Sequence, residues 1–246
     1  RLRCDWSSDV CSSDLGRQPG DLDVAAAAAE AAERSTRMLG AVKPPSGRMT
    51  VVLDPWVSAQ FLGIVGGTLS GEAVQKGRSL FAERLGEDVA TPILTLIDDP
   101  TDPAAYTATG TDGEGLATRR NVLLADGRLE RFVHNSETAR RAGTSSTGSA
   151  VRGYSSTPGV GVRAVAVVAG DRSPAELISG IRDGLLVQGV SGLHSGVNPV
   201  SGDFSTGAEG LRIRDGELAE PVREFTIAST IQKMLHNVTD IGDDVQ

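Results

Sequence analysis

The sequence predicts an α+β fold with a largely antiparallel β-sheet, hairpins and several short helices. Apolar segments of strand length outnumber the amphipathic segments of helix length along the 246 residues. Two of the apolar pairs flank Asp-Gly, at Asp126-Gly127 and Asp215-Gly216, a dipeptide that suits the tight turn of a hairpin. No segment repeats at a fixed period, which argues against a repeat architecture.

The first predicted elements lie before Gly86. Asp23 to Ala41 is a helix by propensity, and Gly40 is placed as its C-terminal stop. The segment "KPPSG" then breaks the chain as a linker would, so a domain boundary is predicted there. Met49 to Leu53 is a short, buried strand, and "WVSAQFLGIVGGTL" follows with helical period. The segment "SGEAVQKGRSLFAERLGE" predicts two short helical pieces around Gly77.

The middle of the chain predicts strands and a hairpin. Thr91 to Asp98 is a strand, and Asn121 to Val133 is the hairpin centred on Asp126-Gly127. "SETARRAG" is a short helix with Ser136 as its N-cap. The segment "TSSTGSAVRGYSSTPGVG" is predicted to be a loop, because it is too polar to pack.

The C-terminal third alternates strands with short helices. "VRAVAVVAG", "LLVQGV" and "EFTIAS" are strands, and "LRIRDGELAEPV" is the second Asp-Gly hairpin. Ser173, Pro174 and Glu176 form a capping-box pattern at a helix start. The last helix has apolar residues at i, i+3, i+4 and i+7, which are Ile231, Met234, Leu235 and Val238.

Composition limits the classes of partner. The chain is 39% hydrophobic with a formal charge of −8, and no apolar run is long enough to span a bilayer. Because phosphate binding needs a basic face, the acidic balance argues against nucleic acid as a partner. We expect a cytoplasmic protein with neither a nucleic-acid nor a membrane partner.

Residues 1–15 are excluded from the fold prediction. They include "DWSSDVCSSDL", which resembles a sequencing adapter read in frame and has neither an apolar period nor turn chemistry. Both cysteines, Cys4 and Cys11, lie in this segment. The remaining chain therefore has no thiol for a disulfide, a nucleophile or a metal site. We expect the natural protein to extend further upstream.

The segment from Ser191 to Leu211, "SGLHSGVNPVSGDFSTGAEGL", concentrates glycine with polar side chains. It is predicted to be a loop that can approach another backbone closely, so a peptide or partner strand is a candidate ligand. A nucleophilic triad could be formed by His194, Asp203 and Ser205, but no G-x-S-x-G elbow supports one. No phosphate-loop spacing is present. His134 and His236 are predicted to be surface or helix-end histidines.

The same segment carries a resemblance. "HSGVNPVSGDFSTGAEGLRIRDGELAEPVREFTIAS" resembles the C-terminal signature of the TldD/PmbA family of zinc proteases. The matching positions are Gly196, Val197, Asn198, Pro199, Gly202, Asp203, Phe204, Ser205, Gly207, Ala208, Gly210, Asp215-Gly216, Pro221-Val222 and Thr226 to Ala228. The upstream segments "VVLDPWVSAQFL" and "SGEAVQKGRSLFAERLGEDVA" resemble the start of the same domain. The resemblance implies that residues 16–43 are the end of a preceding middle domain and residues 44–246 the C-terminal domain.

The resemblance also bears on the metal. In that family the TldD kind of subunit carries H-E-x-x-x-H on a helix and a later Cys, and the PmbA kind, also called TldE, lacks them and pairs with the first. The segment "GIVGGTLSGEAV", where those histidines should stand, has no His, and its one acid is Glu72. We therefore assign no catalytic residue, no metal ligand and no cofactor to this chain, and expect zinc on a TldD-type partner.

Two functions of different classes stay open, besides the triad hydrolase. The first is a non-catalytic, TldE-like subunit of a heteromeric zinc-dependent peptidase that acts on small or unfolded peptides. The second is a stand-alone peptide- or protein-binding scaffold with no link to proteolysis. In either case, Gly196, Asn198, Asp203 and Ser205 are the candidate peptide or partner loop.

Overall fold

The computed structural model describes residue 20 and residues 22–244, so the prediction for residues 1–15 lies outside the described part of the chain. The helices are α1 (Val24–Arg37), α2 (Pro55–Thr68), α3 (Gly71–Gln75), α4 (Ser136–Arg141), α5 (Pro174–Ser179), α6 (Leu193–Gly196) and α7 (Ile231–His236). The strands are β1 (Thr50–Leu53), β2 (Leu96–Asp98), β3 (Asn121–Ala125), β4 (Arg128–Leu129), β5 (Ala150–Val151), β6 (Gly159–Val160), β7 (Val165–Val167), β8 (Asp183–Ser191), β9 (Asp203–Arg214) and β10 (Glu217–Thr230).

The larger sheet has the order β1-β8-β9-β10. Strand β1 pairs parallel to β8, and the other two pairings are antiparallel. The long β9–β10 hairpin turns at Asp215 and Gly216, whose φ angles are 47° and 84°. Two consecutive positive φ angles are the requirement of a type I′ turn, which Asp-Gly satisfies. The predicted hairpin is confirmed.

Strand β10 is irregular along its length. Its register against β9 shifts between Leu218 and Pro221 and again between Val222 and Phe225. Glu224, in the second shift, has φ 57°. On the other side of β10, Val42 donates its N–H to the Pro221 carbonyl and accepts from the Arg223 N–H, both at 3.1 Å. The segment before β1 thus covers the middle of the β10 edge.

The smaller sheet has the order β4-β3-β2-β7, and β5 pairs with β6 in a separate ribbon. The β3–β4 turn repeats the same chemistry, with Asp126 at φ 48° and Gly127 at φ 81°. A Cβ at Gly127 would lie 2.4 Å from the Ala90 carbonyl oxygen. Glycine is therefore required at this turn both by its backbone angle and by the neighbouring backbone.

Helix α2 lies between the two sheets and connects their cores. Its Phe61 and Val65 belong to the main cluster, where the Phe61 ring meets Phe204 of β9 edge to face at 5.8 Å. Its Val57 belongs to a second cluster under the larger sheet with Leu185 and Val222. Burying both faces of one helix in this way joins α2, both sheets and α7 into one folded unit.

The helix starts follow capping chemistry. Asp54 accepts from the Trp56 N–H at 3.0 Å and caps α2, with Pro55 at the first helical position. Ser173 and Glu176 form both hydrogen bonds of the predicted capping box at α5. For α4 the N-cap is Asn135, which accepts from the Thr138 N–H at 2.8 Å, so the prediction of Ser136 was one residue late.

The fold class is confirmed, and several element predictions are corrected. Strand β1 is half-exposed rather than buried, because it lies at the edge of its sheet. The strand predicted over Thr91 to Asp98 is regular only in β2, because residues 92–93 turn. The second helical piece after Gly77 consists of turns, which hold the fully buried Phe81. No helix among the described residues is both long and apolar enough to cross a bilayer.

The polar segment over residues 144–161 was wrongly predicted to stay unpacked. Strands β5 and β6 pair within it, and Thr147, Ser149 and Ala150 are buried. The Thr147 hydroxyl bonds to Ser149 Oγ at 2.9 Å and to the His134 carbonyl at 3.1 Å. Hydroxyl side chains are buried here because each finds a hydrogen-bond partner, which composition does not reveal.

Candidate functional site

The glycine-rich segment from Ser191 to Leu211 is not one loop. It comprises the end of β8, helix α6, a tight turn over residues 197–202 and most of β9. The loop prediction was wrong because β9 lies between β8 and β10, and its small residues let both neighbours approach. A Cβ at Gly210 would lie 1.9 Å from the Leu186 carbonyl oxygen. The glycine there serves close strand packing.

Gly196 is the point where α6 touches the sheet. A Cβ at this position would lie 1.9 Å from the Ser205 carbonyl oxygen of β9. The Gly196 N–H donates to the Gly192 carbonyl at 2.8 Å, and Gly192 itself has φ 77°. Two glycines therefore fold the chain back onto β9 within five residues.

Asn198 organises the turn that follows. Its side-chain oxygen accepts from the Val200 N–H at 2.9 Å and from the Ser201 N–H at 3.3 Å. Its own N–H donates to the Asp203 carbonyl at 2.9 Å, and its carbonyl accepts from the Gly202 N–H at 2.8 Å. The amide side chain is thus engaged within the turn, in the manner of an Asx turn.

Asp203 and Ser205 begin β9 with their side chains exposed. The Asp203 carboxylate accepts from the Ser201 hydroxyl at 2.6 Å, and Ser205 lies opposite Ala228 of β10. His194 is exposed on α6. Of the hydrogen bonds among the described residues, none joins His194, Asp203 and Ser205. The Ser–His contact that would activate a nucleophile is not formed in this arrangement.

The exposed face of the larger sheet continues from this turn. Ser205 and Gly207 of β9 lie opposite Ala228 and Thr226 of β10, and Ser191 of β8 lies opposite Gly207. A Cβ at Gly207 would meet the Ser191 hydroxyl at 2.6 Å. The short side chains would let a second chain approach the sheet closely. We call this surface, together with Gly196, Asn198 and Asp203, the small-residue face.

The segment from Gly63 to Val74, where the resemblance places the zinc ligands, forms the end of α2 and the start of α3. Its one acid, Glu72, accepts a hydrogen bond from Lys76, which lowers the pKa of that carboxyl. A Cβ at Gly66 would lie 2.7 Å from Val162, so this part of α2 packs against an apolar neighbour. Within the described residues, no group of three or more His, Cys, Asp or Glu could hold a metal ion. The residues present do not fit a zinc ion.

The histidines outside the small-residue face differ in burial. His236 is exposed at the end of α7, as predicted. His134 is only 8% exposed, so the prediction of a surface residue was wrong. Its ring packs on the bare backbone of Gly71, and Nδ1 lies 3.2 Å from the Thr138 hydroxyl. Burial lowers the pKa of His134.

A charged hollow, which the sequence did not indicate, lies at the end of the larger sheet where β8 begins and β9 ends. It is lined by Arg182, Asp183, Arg212, Arg214 and Asp215. Arginines that alternate with Leu211 and Ile213 in "LRIR" have the pattern of a solvent-facing row, yet Arg212 is 5% exposed. Both faces of β9 are covered at this point, so the alternation carried no signal of a buried charge.

Comparison with known proteins agrees with this architecture. The sequence model of the PmbA/TldA metallopeptidase C-terminal domain matches residues 46–246. A metalloprotease of Methanothermobacter thermautotrophicus is 33% identical over 214 residues, which cover 86% of this chain and 46% of the relative. Metalloprotease PmbA of Escherichia coli O157:H7 is 27% identical, over 94% of this chain and 49% of the relative.

A solved structure resembles the fold as well. TldE from Thermococcus kodakarensis superposes with a TM-score of 0.83 at 31% identity, over 90% of this chain and 50% of that chain. The chain thus spans about half the length of the relatives it matches. The family match covers most of the chain and includes both sheets, the α2 core and the small-residue face. The chain belongs to the PmbA/TldD metallopeptidase family.

Proposed function

We propose that this chain is part of a non-catalytic, TldE-like subunit of a heteromeric zinc-dependent peptidase. The observation that carries the proposal is the segment from Gly63 to Val74. In a member of a metallopeptidase family, it offers no imidazole or thiolate, and its single carboxylate is paired with Lys76. A catalytic zinc site needs three protein ligands and an open position for water.

The catalytic metal is then expected on a TldD-type partner subunit, in the cytoplasm. This assignment rests on the residues of one segment rather than on overall identity to either kind of subunit. The chain's own contribution is a surface that holds substrate and partner, not a step at the metal. Small or unfolded peptides are the proposed substrate class.

The small-residue face is the proposed contact surface. Because β9 is already hydrogen-bonded to β8 and β10, this face would hold an extended peptide by contact with its short side chains and by exposed polar groups, and not by main-chain pairing, which needs a free sheet edge. Ser205 and Asp203 are exposed there and could add polar contacts, while Gly196 and Asn198 fix the turn beside them. Gly196 and Asn198 thus have a structural role beside the face, whereas Asp203 and Ser205 are the residues proposed to contact the peptide.

The test is reconstitution with a TldD-type subunit from the same genome. The two proteins are co-expressed with a tag on this chain, isolated as a complex and assayed on an unfolded peptide. We expect co-purification, zinc in the complex but not in this chain alone, and hydrolysis by the mixture that exceeds that of either protein.

The control replaces a zinc-binding histidine of the partner, which should abolish hydrolysis while the complex persists. A partner that is fully active by itself and does not bind this chain would contradict the proposal and favour a stand-alone binding scaffold. Hydrolysis by this chain alone that is lost in Ser205→Ala would favour the triad hydrolase instead.

A further inference from the structure

The charged hollow has a volume of about 500 Å³ and lies where β8 begins and β9 ends. The Asp215 N–H donates to the Arg182 carbonyl at 2.8 Å, so the β9–β10 turn is fastened to the segment before β8. This contact fixes the distance between the two backbone segments that carry the charged side chains. The backbone on both sides of the hollow is therefore held together by hydrogen bonding.

Arg212 forms the inner wall, and its hydrogen-bonding capacity is mostly unused. Its side chain is 7% exposed, and one terminal nitrogen donates to Asp183. The other terminal nitrogen faces the Met49 sulfur at 3.1 Å, which is a weak acceptor. Its Nε is buried and has no hydrogen-bond partner. A guanidinium has five N–H donors, and leaving them without oxygen acceptors in a buried position is costly.

The other two arginines of the hollow differ in whether their N–H groups are free to bind a ligand. Arg214 forms a two-pronged pair with Glu220, with its Nε at 3.1 and 3.2 Å from the two carboxylate oxygens. That pair lowers the pKa of Glu220 to about 2, so Glu220 stays ionised and paired with Arg214 at neutral pH. Arg182 is exposed and forms no ion pair within residues 22–244. Arg182 and Arg212 are thus the two guanidinium groups with donors to offer.

We propose that this hollow binds a carboxylate group, which Arg182 and Arg212 hold between them. The planar fork of a guanidinium matches the two oxygens of a carboxylate, and such pairs are among the stronger hydrogen bonds in proteins. The carboxylate would come from a peptide chain, either at its C-terminus or on an acidic side chain. The proposal stands independently of the peptidase assignment, since it concerns binding to this chain alone.

Charge balance favours a monoanion over phosphate. The three arginines are matched by Asp183, Asp215 and Glu220, so the six groups sum to zero. One carboxylate leaves a net charge of −1, which the exposed Asp183 can accommodate by turning to solvent, since its side chain is already 55% exposed. A dianionic phosphate would leave −2 beside the same acids, which like-charge repulsion disfavours.

The chain is titrated with four compounds: N-acetyl-tetraalanine as the free acid, the same peptide as its C-terminal amide, a peptide amide that carries one glutamate, and inorganic phosphate. Binding is followed by calorimetry and by the Nε–H resonances of the arginines. We expect saturable binding of the free acid or of the glutamate peptide, about tenfold tighter than the plain amide, with a shift of the Arg212 resonance. Which of the two binds identifies the source of the carboxylate.

The variants follow from the contacts. Arg212→Met keeps an apolar stem beside Met49 and should abolish binding, and Arg182→Gln should weaken it about tenfold. Asp183→Asn removes the competing carboxylate and should tighten binding. Arg223→Gln is the matched control, because that arginine is exposed on β10 and pairs with Glu224 outside the hollow.

The outcomes that overturn the proposal are equally specific. Equal affinity for the free acid, the glutamate peptide and the plain amide would do so, as would tighter binding of inorganic phosphate than of any carboxylate. Binding that is unaffected by both Arg182→Gln and Asp183→Asn would also reject it. These two exposed positions keep the test decisive if Arg212→Met fails to fold.

Discussion

At the scale of single residues, the glycines that contact a neighbouring backbone are the positions that packing constrains most. At Gly196 and Gly210 the space for a Cβ is occupied by a carbonyl oxygen 1.9 Å away, whereas at Gly63 of α2 the space is open. The first two positions are required by packing, and the third is a helix-interior glycine that lowers helix stability. Packing thus requires glycine at the two signature positions, Gly196 and Gly210, and does not require it at Gly63.

Gly196→Ala should lower the free energy of unfolding by about 1–3 kcal/mol, because the new methyl group forces α6 away from β9. Gly63→Ala, at an exposed position in α2, should raise it by about 0.5–1 kcal/mol. Denaturant unfolding of both variants measures the difference. Equal effects at the two positions would mean that α6 does not pack as described.

Asn198→Ala should lower the free energy of unfolding by about 1 kcal/mol, because the Val200 and Ser201 N–H groups lose their acceptor. Ser205→Ala should leave stability unchanged, since this exposed side chain has no hydrogen bond within the described chain. Thermal melting compares the two. In the peptidase complex, a loss of activity in Ser205→Ala at unchanged melting temperature would indicate a working surface.

The helices and strands show which parts of the fold are encoded locally. Both Asp-Gly hairpins and the Ser173 capping box were predictable, because turn angle and cap chemistry depend on a few adjacent residues. The first part of β9, from Asp203 to Gly210, and the β5–β6 ribbon were not, because glycine and hydroxyl residues become strand only beside partners distant in sequence. Of the candidate site, the turn at Asn198 could be located from the sequence, but the hollow around Arg212 could not.

Substitutions of Asp54 test how α1 is attached to the rest of the fold. It caps α2, and its other oxygen accepts from Arg34 of α1 at 3.0 Å. Asp54→Asn keeps the cap and loses the ion pair, so it should cost less than about 1 kcal/mol, whereas Asp54→Ala should cost about 1 kcal/mol more.

A double-mutant cycle of Asp54→Asn with Arg34→Gln isolates the contact between the helices. Once Asp54→Asn is present, Arg34→Gln should remove only the pair of Arg34 with Glu30, so its cost should be smaller than in the wild-type background. Independent, additive losses would show that α1 is not held at Asp54, in keeping with a helix that belongs to a preceding domain.

The molecule unfolds as one unit if its two cores are coupled through α2. Phe61 and Val65 contact one cluster and Val57 the other, so loss of either sheet exposes the helix. Because α2 is buried in both clusters, we expect both sheets to unfold in a single transition. Stability against pH can then be assigned to individual buried groups.

The free energy of unfolding should change with pH because of the protonation of His134. Burial lowers the pKa of His134 below its ordinary 6.5, so the unfolded chain takes up the proton more readily than the folded chain. The free energy of unfolding should therefore keep its higher value above about pH 6.5 and decrease as the pH falls below 6.5. His134→Gln should flatten this dependence, and the exposed His236→Gln should not. Denaturant curves at pH 5.5 and 8 measure it, and a flat wild-type profile would refute the assignment.

The irregular outer strand also affects how copies of the molecule meet in concentrated solution. A straight, unpaired strand edge invites another copy to add its own strand, which is how many sheet proteins begin to form fibrils. Here β10 bends twice, has Pro221 without a donor N–H and is occupied by Val42 at its centre. Deleting the covering segment around Val42 would uncover this edge, and the shortened chain should aggregate faster than the intact one, by light scattering.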